Sequence, residues 1–324
     1  MYNIEYYYSL IKSAFSKLSI PSSPESLYEP LRYSLSMNGK RIRPLLCLIS
    51  CDLCNGDVNK AIPAALSLEL FHNFTLIHDD IMDNANLRRG YPTVYKKWGI
   101  NSGILSGDVM FAISYFEISK SVPELVNQLV SILTQTAIQV CEGQQYDLDF
   151  ENKQHISTEE YLEMIRLKTA ALIAASLKMG AIIANADEIL QNKFYSFGEK
   201  IGLAFQIQDD LLDAYGDANK FGKTIGNDIT TNKKTYLYVK AYEDADEEQK
   251  NKLIYLYSGK EINSVSKINE VLTIFNKLDI LNKTKLKLNN LYEEAFSILE
   301  IMEISNTAKV FLKDFVSQLI NREA

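Results

Sequence analysis

The stretch Ser157–Leu177 reads STEEYLEMIRLKTAALIAASL, and its spacing decides the fold. Ser157 followed three residues later by Glu160 is a helix-start signature, because each side chain can satisfy a backbone N–H of the first turn. Beyond it, Tyr161, Ile165 and Leu172 recur with helical period, and Lys168 and Thr169 fall on the same inner face. The run AALIAAS, Ala170–Ser176, is apolar on every side and lies between Lys168 and Lys178. It is far shorter than the roughly 20 residues a membrane span requires. The spacing predicts a long, buried helix of a protein with no membrane span.

The same reading extends along the chain. Ile201, Phe205 and Leu212 keep helical period, whereas period-two alternation is scarce. All seven prolines lie at or before Pro123, so nothing beyond it forbids long helices. Glycines at 39, 56, 90, 99, 216, 222 and 226 mark short connections, and no linker separates two domains. The expectation is one all-α domain over residues 1–324, with about ten or more helices. Residues 243–324 read as Lys- and Glu-rich amphipathic helix that serves packing and partner contacts.

A net charge of −7 argues against a general nucleic-acid binder, so a phosphate-bearing ligand must be held by local cations or metal ions. The start, MYNIEYYYSLIKSAFSKL, lacks the basic-then-apolar order of a signal peptide, which makes the cytoplasm the expected location. Cys47, Cys51 and Cys54 fall at i, i+4 and i+7 just after Pro44 and are expected on a buried helix face. The CxxC they contain has no second pair, which argues against zinc.

Chemistry enters with two acidic motifs of one spelling: DDIMD, Asp79–Asp83, and DDLLD, Asp209–Asp213. On a helix, Asp79 and Asp83 sit one turn apart on one face, and so do Asp209 and Asp213. His72 and Thr75 continue the first stripe, Gly202 and Gln206 the second. Antiparallel packing of the two helices would bring the carboxylates face to face, an arrangement stable only with a positive filler. All-oxygen ligands select Mg²⁺, with Mn²⁺ as an alternative, over zinc, and Mg²⁺ commonly bridges carboxylates to substrate phosphates. Cations beside glycine turns reinforce this: Lys40, Arg41 and Arg43 in GKRIRP, Arg88 and Arg89 in NLRRGYPT, Lys168 in RLKTAA, and Lys223, Lys233 and Lys234 in FGKTIGNDITTNKKT. They point to two diphosphate sites.

In order, GKRIRP, LELFHNFTLIHDDIMD, RRGYPT, GQQYDLDF, KTAALI, FQIQDDLLD and GKTIGND with NKKT closely resemble the trans-isoprenyl diphosphate synthases, the polyprenyl synthetase family, and most of all its geranylgeranyl-forming type. The resemblance implies an orthogonal all-α bundle, the isoprenoid synthase fold, around a deep central cavity, commonly as a homodimer. By it, Asp79, Asp80, Asp83, Asp209 and Asp213 would serve two or three Mg²⁺ ions. Arg88, Lys168, Thr169, Gln206, Lys223 and Lys233 would hold an allylic diphosphate, and Lys40, Arg43, His72 and Arg89 isopentenyl diphosphate. Lys233 is preferred to Lys234 by its distance from Asp228, Asp210 would shape the second cluster, and Gln144 and Asp147 would support the cavity. The implied catalytic set is Asp79, Asp83, Asp209, Lys168, Lys223 and Arg88.

The implied reaction ionises the allylic C–O bond, joins the cation to isopentenyl diphosphate and releases diphosphate, with no protein nucleophile. Phe74 and Thr75, five and four residues before Asp79, would set product length. A ring at Phe74 predicts a C20 product, with C15 or longer chains as alternatives. Two rival readings are a terpene cyclase and a non-catalytic subunit of a heteromeric synthase. Both normally lose part of what is intact here, the second aspartate motif above all.

Overall fold

The computed structural model describes residues 2–37, 39–216, 226–259 and 263–320. They form α1 (Ile4–Ser16), α2 (Glu25–Ser36), α3 (Ile42–Leu53), α4 (Val58–Met82), a hairpin of β1 (Leu87–Arg88) and β2 (Tyr91–Pro92), α5 (Val94–Trp98), α6 (Ile100–Ile118) and α7 (Val126–Asn152). Then follow α8 (Thr158–Ile165), one π turn (Arg166–Ala170), α9 (Ala171–Ile183) and α10 (Glu188–Tyr215). The chain continues with α11 (Asn227–Thr230), α12 (Tyr236–Asp244), α13 (Glu247–Leu256), α14 (Ser264–Lys277), α15 (Ile280–Glu300) and α16 (Asn306–Ile320). The all-α expectation holds, with one small addition, the two-residue strands of the hairpin. No helix among the described residues is long and apolar enough to cross a membrane.

Two compact units make up the chain: Met1–Gln135 with Ala175–Phe194, and Thr136–Ala174 with Tyr195–Ala324. In the first, Leu31 of α2, Leu70 and Ile77 of α4, Val94 of α5 and Met110 of α6 form a core. Two glycines of α6 admit α4 side chains: Gly103 lies under Ile81, and Gly107 under the His78 ring. Cys47 and Cys51 are buried on α3 as expected, while Cys54 is its half-buried C-cap. Burial pushes the Cys51 thiol up to about 12, so it behaves as a small apolar side chain.

The second unit buries Phe197, Tyr238, Leu253, Phe275, Leu291 and Leu312. The C-terminal helices, α13 to α16, thus contribute core as their amphipathic pattern implied. The capping box at the head of α8 forms as read: Ser157 Oγ accepts from the Glu160 N–H at 3.2 Å, and Glu160 accepts from the Ser157 N–H at 2.9 Å. The long helix expected beyond it is interrupted, however. Residues Arg166–Ala170 widen into the π turn, for a reason that lies in the neighbouring helices.

Candidate active site

In the first unit the site is built on the last turns of α4. Asp79 and Asp80 lie in the final turn, and Asp83 is the C-cap. A helix C-terminus already carries partial negative charge, and this one has no basic residue in its last turn. Carboxylates placed there raise the local cost until a cation arrives. Asp79 is half-buried and Asp83 exposed, whereas Asp80 points inward at 4% exposure. Arg88 reaches Asp80 from the hairpin, donating from Nε at 2.8 Å and from Nη2 at 2.6 Å to the same oxygen, Oδ1. Burial pushes the Asp80 carboxyl up, against the pull of Arg88.

The hairpin explains why the motif spells Arg-Arg-Gly. Leu87 pairs with Pro92 and Arg88 with Tyr91, so Arg89 and Gly90 are the two turn residues, with φ of 53° and 82°. Positive φ at both centres is the type I′ geometry that matches strand twist. Gly90 adopts it without strain; Arg89 does so as one of few non-glycine residues. The Arg89 guanidinium then lies against Gly39, where a Cβ would come within 2.5 Å of Nη1. Gly39 of GKRIRP is thus the space that Arg89 occupies.

Of the cations in GKRIRP, Arg41 is committed to structure. Its Nη1 donates to Glu69 at 2.6 Å and its Nη2 to the Leu35 carbonyl at 2.5 Å, while its guanidinium covers the Phe15 ring. Glu69 is buried and also accepts from Asn73 Nδ2 at 3.0 Å. The network keeps a buried carboxylate neutralised, the condition under which such a charge is tolerated. Lys40 is exposed and Arg43 half-buried on the neighbouring turn. His72 is half-buried on α4, and burial, together with Arg43, Arg89, Arg88 and Arg41, holds its imidazole well below the usual value. At neutral pH it is an uncharged hydrogen-bonding group amid positive charge.

One turn below Asp79, Thr75 donates its hydroxyl to the His72 carbonyl at 2.8 Å. Phe74 meets three rings: Phe71 at 5.5 Å, His78 at 4.9 Å and Phe111 of α6 at 5.1 Å between centroids. Its ring is therefore wedged between α4 and α6.

The second unit holds its polar groups around the π turn. Gly143 of α7 lies so close that a Cβ there would overlap the Lys168 backbone nitrogen, and a Cβ at Gly202 of α10 would come within 2.5 Å of Ala170 Cα. One turn beyond each glycine stands the residue that holds a turn side chain. Asp147 accepts from Lys168 Nζ at 2.5 Å, and Gln206 Oε1 accepts from the Thr169 hydroxyl at 3.0 Å. The turn is widened where two helices press on its backbone, and π turns of this kind often mark functional sites. Burial would raise the Asp147 carboxyl, but Lys233 and Lys168 outweigh it and hold the group below the usual range. Gly143→Ala is expected to cost about 1–3 kcal/mol through overpacking. Thermal melting checks this, and an unchanged melting temperature would show that the close approach carries no constraint.

At the end of α10, as at the end of α4, the last turn holds acid and no base. Asp209 is exposed. Asp213 has a structural task as well, because its Oδ2 accepts from the Asp228 N–H at 2.9 Å at the start of α11. Asp210 is buried: Oδ2 accepts from the Tyr161 hydroxyl at 2.5 Å and the Tyr236 N–H at 3.1 Å, and Oδ1 from Gln206 Nε2 at 3.1 Å. Burial, helped by the charge of Asp228 and opposed by those three bonds, pushes its carboxyl up to about 7. Lys234 is fixed on the carbonyls of Phe150, Glu151 and Lys153 at the end of α7, whereas the charge of Lys233 acts on Asp147. Lys223 lies outside the described residues.

Around the π turn and α10, then, the structure brings together Lys168, Thr169, Gln206, Asp147 and Lys233. Around the end of α4 it gathers Asp79, Asp80, Arg88, Arg89, His72 and Arg43. Two roles are not visible in the sequence: the hydroxyl of Tyr161, whose helical period marks only an inner-face position, and the packing of Gly143. A glycine inside an otherwise helical run was the available signal for the second.

A family model described as Polyprenyl synthetase matches residues 24–275, which span every site residue from Lys40 to Lys233. The chain belongs to the polyprenyl synthetase family. Among its relatives, the short chain isoprenyl diphosphate synthase of Methanocaldococcus jannaschii is 41% identical over 239 residues, 74% of this chain and 73% of that one. The geranylgeranyl pyrophosphate synthase of Geoglobus acetivorans is 40% identical over 240 residues, 74% of this chain and 75% of that one. A crystal structure of a geranylgeranyl pyrophosphate synthase superposes with a TM-score of 0.94 at 40% identity, covering 100% of both chains. This polyprenyl synthetase is accordingly a prenyltransferase with the isoprenoid synthase fold.

Proposed function

We propose that the chain condenses isopentenyl diphosphate with an allylic diphosphate (dimethylallyl, geranyl or farnesyl), releasing diphosphate and forming an all-trans product, C20 geranylgeranyl diphosphate. The observation that carries the reading is the pair of acidic helix ends, α4 and α10, each without a basic residue in its last turn, with Arg88 bound at the first. Mg²⁺ suits such all-oxygen ends because it keeps waters and takes substrate phosphate oxygens as further ligands. Asp79 and Asp83 would hold it at the first end, with Asp80 bound to Arg88; Asp209 would hold it at the second, with Asp213 farther out. Two or three ions are expected, and Mn²⁺ would fit the same oxygens. When bound, Mg²⁺ offsets the charge that grows on the departing diphosphate.

The remaining work falls to the side chains. Arg88, Lys168, Lys233 and Lys223 place positive charge on the allylic diphosphate, with Thr169 and Gln206 beside them. Lys40, Arg43 and Arg89 hold isopentenyl diphosphate, and His72, kept uncharged, adds a hydrogen bond without competing as a further cation. The side chains stabilise leaving-group charge and align the second substrate; no nucleophile is called for. Phe74, wedged among Phe71, His78 and Phe111, would form the floor that stops growth, with Thr75 beside it one turn below Asp79.

A homodimer would use α6, which exposes Ile104, Leu105, Ala112 and Phe116 around a single acid, Asp108. Its four cysteines are free thiols, in keeping with the cytoplasm. The purified chain with Mg²⁺, farnesyl diphosphate and isopentenyl diphosphate is expected to release diphosphate and yield C20 product by chromatography, and to sediment as a dimer. Absence of diphosphate release from the chain alone would refute the catalytic reading, and a sedimenting monomer the dimer.

A further inference from the structure

Tyr161 stands one turn into α8, seven residues before Lys168, and is 3% exposed. Its hydroxyl is spent on Asp210 Oδ2, which also takes the Tyr236 N–H, so both donors fall on one oxygen. The other oxygen, Oδ1, faces Gln206 Nε2. With Asp210 ionised, the amide presents its NH₂ to the carboxylate and its carbonyl to the Thr169 hydroxyl. The four groups form one hydrogen-bond chain of fixed direction: Tyr161 to Asp210, Gln206 to Asp210, Thr169 to Gln206.

We propose that Tyr161 and Asp210 are positioning residues for the condensation, which set the orientation of the Gln206 amide and thereby the direction in which Thr169 presents its oxygen. The proposal rests on the reading that Thr169 and Gln206 lie against the allylic substrate. Asp210 is thereby separated in role from its neighbour Asp209: one carboxylate is exposed at the helix end, the other is buried and works through an amide. An amide reversed at Gln206 would make Thr169 an acceptor from the amide and free its proton, inverting the polarity of the surface the substrate meets. Neither Tyr161 nor Asp210 touches substrate in this scheme.

Asp210→Asn tests it. With Oδ1 of the new amide kept on the Tyr161 and Tyr236 donors, its NH₂ faces the NH₂ of Gln206, and Gln206 must reverse. In the full-length chain we expect the KM for the allylic substrate to rise about tenfold, as for one lost hydrogen bond where the reversed amide turns the Thr169 hydroxyl, with the KM for isopentenyl diphosphate unmoved. Adding Gln206→Glu restores a donor-to-acceptor contact with the roles exchanged and again offers an acceptor oxygen to Thr169. The double variant is expected to regain most of the lost allylic KM. Tyr161→Phe alone should raise the same KM by about fivefold with a melting temperature close to wild type. Equal loss in both KM values, or a double variant no better than Asp210→Asn, would overturn the proposal. If instead the wild-type chain formed no prenyl product, the underlying functional reading would be the one to fail.

Discussion

Replacing Asp209 by alanine lowers kcat by about a thousandfold or more while leaving the melting temperature within a few degrees of wild type, the size expected when a charge-stabilising contact of the reaction is lost. The asymmetry follows from where the residue lies. Asp209 is exposed on α10, so little packing is lost, and removing it lowers the repulsion within the acidic motif that it shares with Asp213. Asp79→Ala should behave alike, since Asp79 is only half-buried at the end of α4. Asp210→Ala, by contrast, would leave the Tyr161 hydroxyl and the Tyr236 N–H without their acceptor and should lose stability as well as turnover. Steady-state rates paired with thermal melts separate the two kinds of aspartate. Substantial turnover by Asp209→Ala would remove the second acidic motif from the mechanism.

Phe74→Ala lengthens the product by at least one five-carbon unit. The ring fills the space between Phe71, His78 and Phe111, and its loss opens that space without disturbing the turn that carries Asp79. Because Phe74 is only half-buried, the stability cost is about 2 kcal/mol, below the 3–5 kcal/mol of a fully buried ring. Product chromatography with farnesyl diphosphate as starter is the measurement. A C20 product from the variant would show that the floor lies elsewhere, with Phe111 the next ring to replace.

Long helices with strong periodicity were legible in the sequence because burial and local geometry ask for the same residues. α8 began at its capping box, and the two acidic motifs fell on helix ends. The π turn was not legible, since its cause is the approach of Gly143 and Gly202 from α7 and α10, contacts distant in sequence. The hairpin escaped for another reason: two-residue strands carry no periodicity, and only the Arg-Gly pair hinted at a type I′ turn. Side-chain chemistry divided similarly. Residue types announced the acidic and basic clusters, but which cation is spent on structure was not visible. Arg41 and Lys234 are anchored on buried or backbone acceptors that only the folded chain supplies.

A π turn closes its hydrogen bonds one residue farther along than an α-helix does, so side chains within it stand at angles that the helices on either side would not give them. Arg166–Ala170 is such a turn between α8 and α9. Lys168 and Thr169, opposite Asp147 and Gln206, both lie in it. The side chains proposed to meet the allylic substrate are thus aimed by a departure from regular helix, and a substitution that restored α geometry there would re-aim both without touching either.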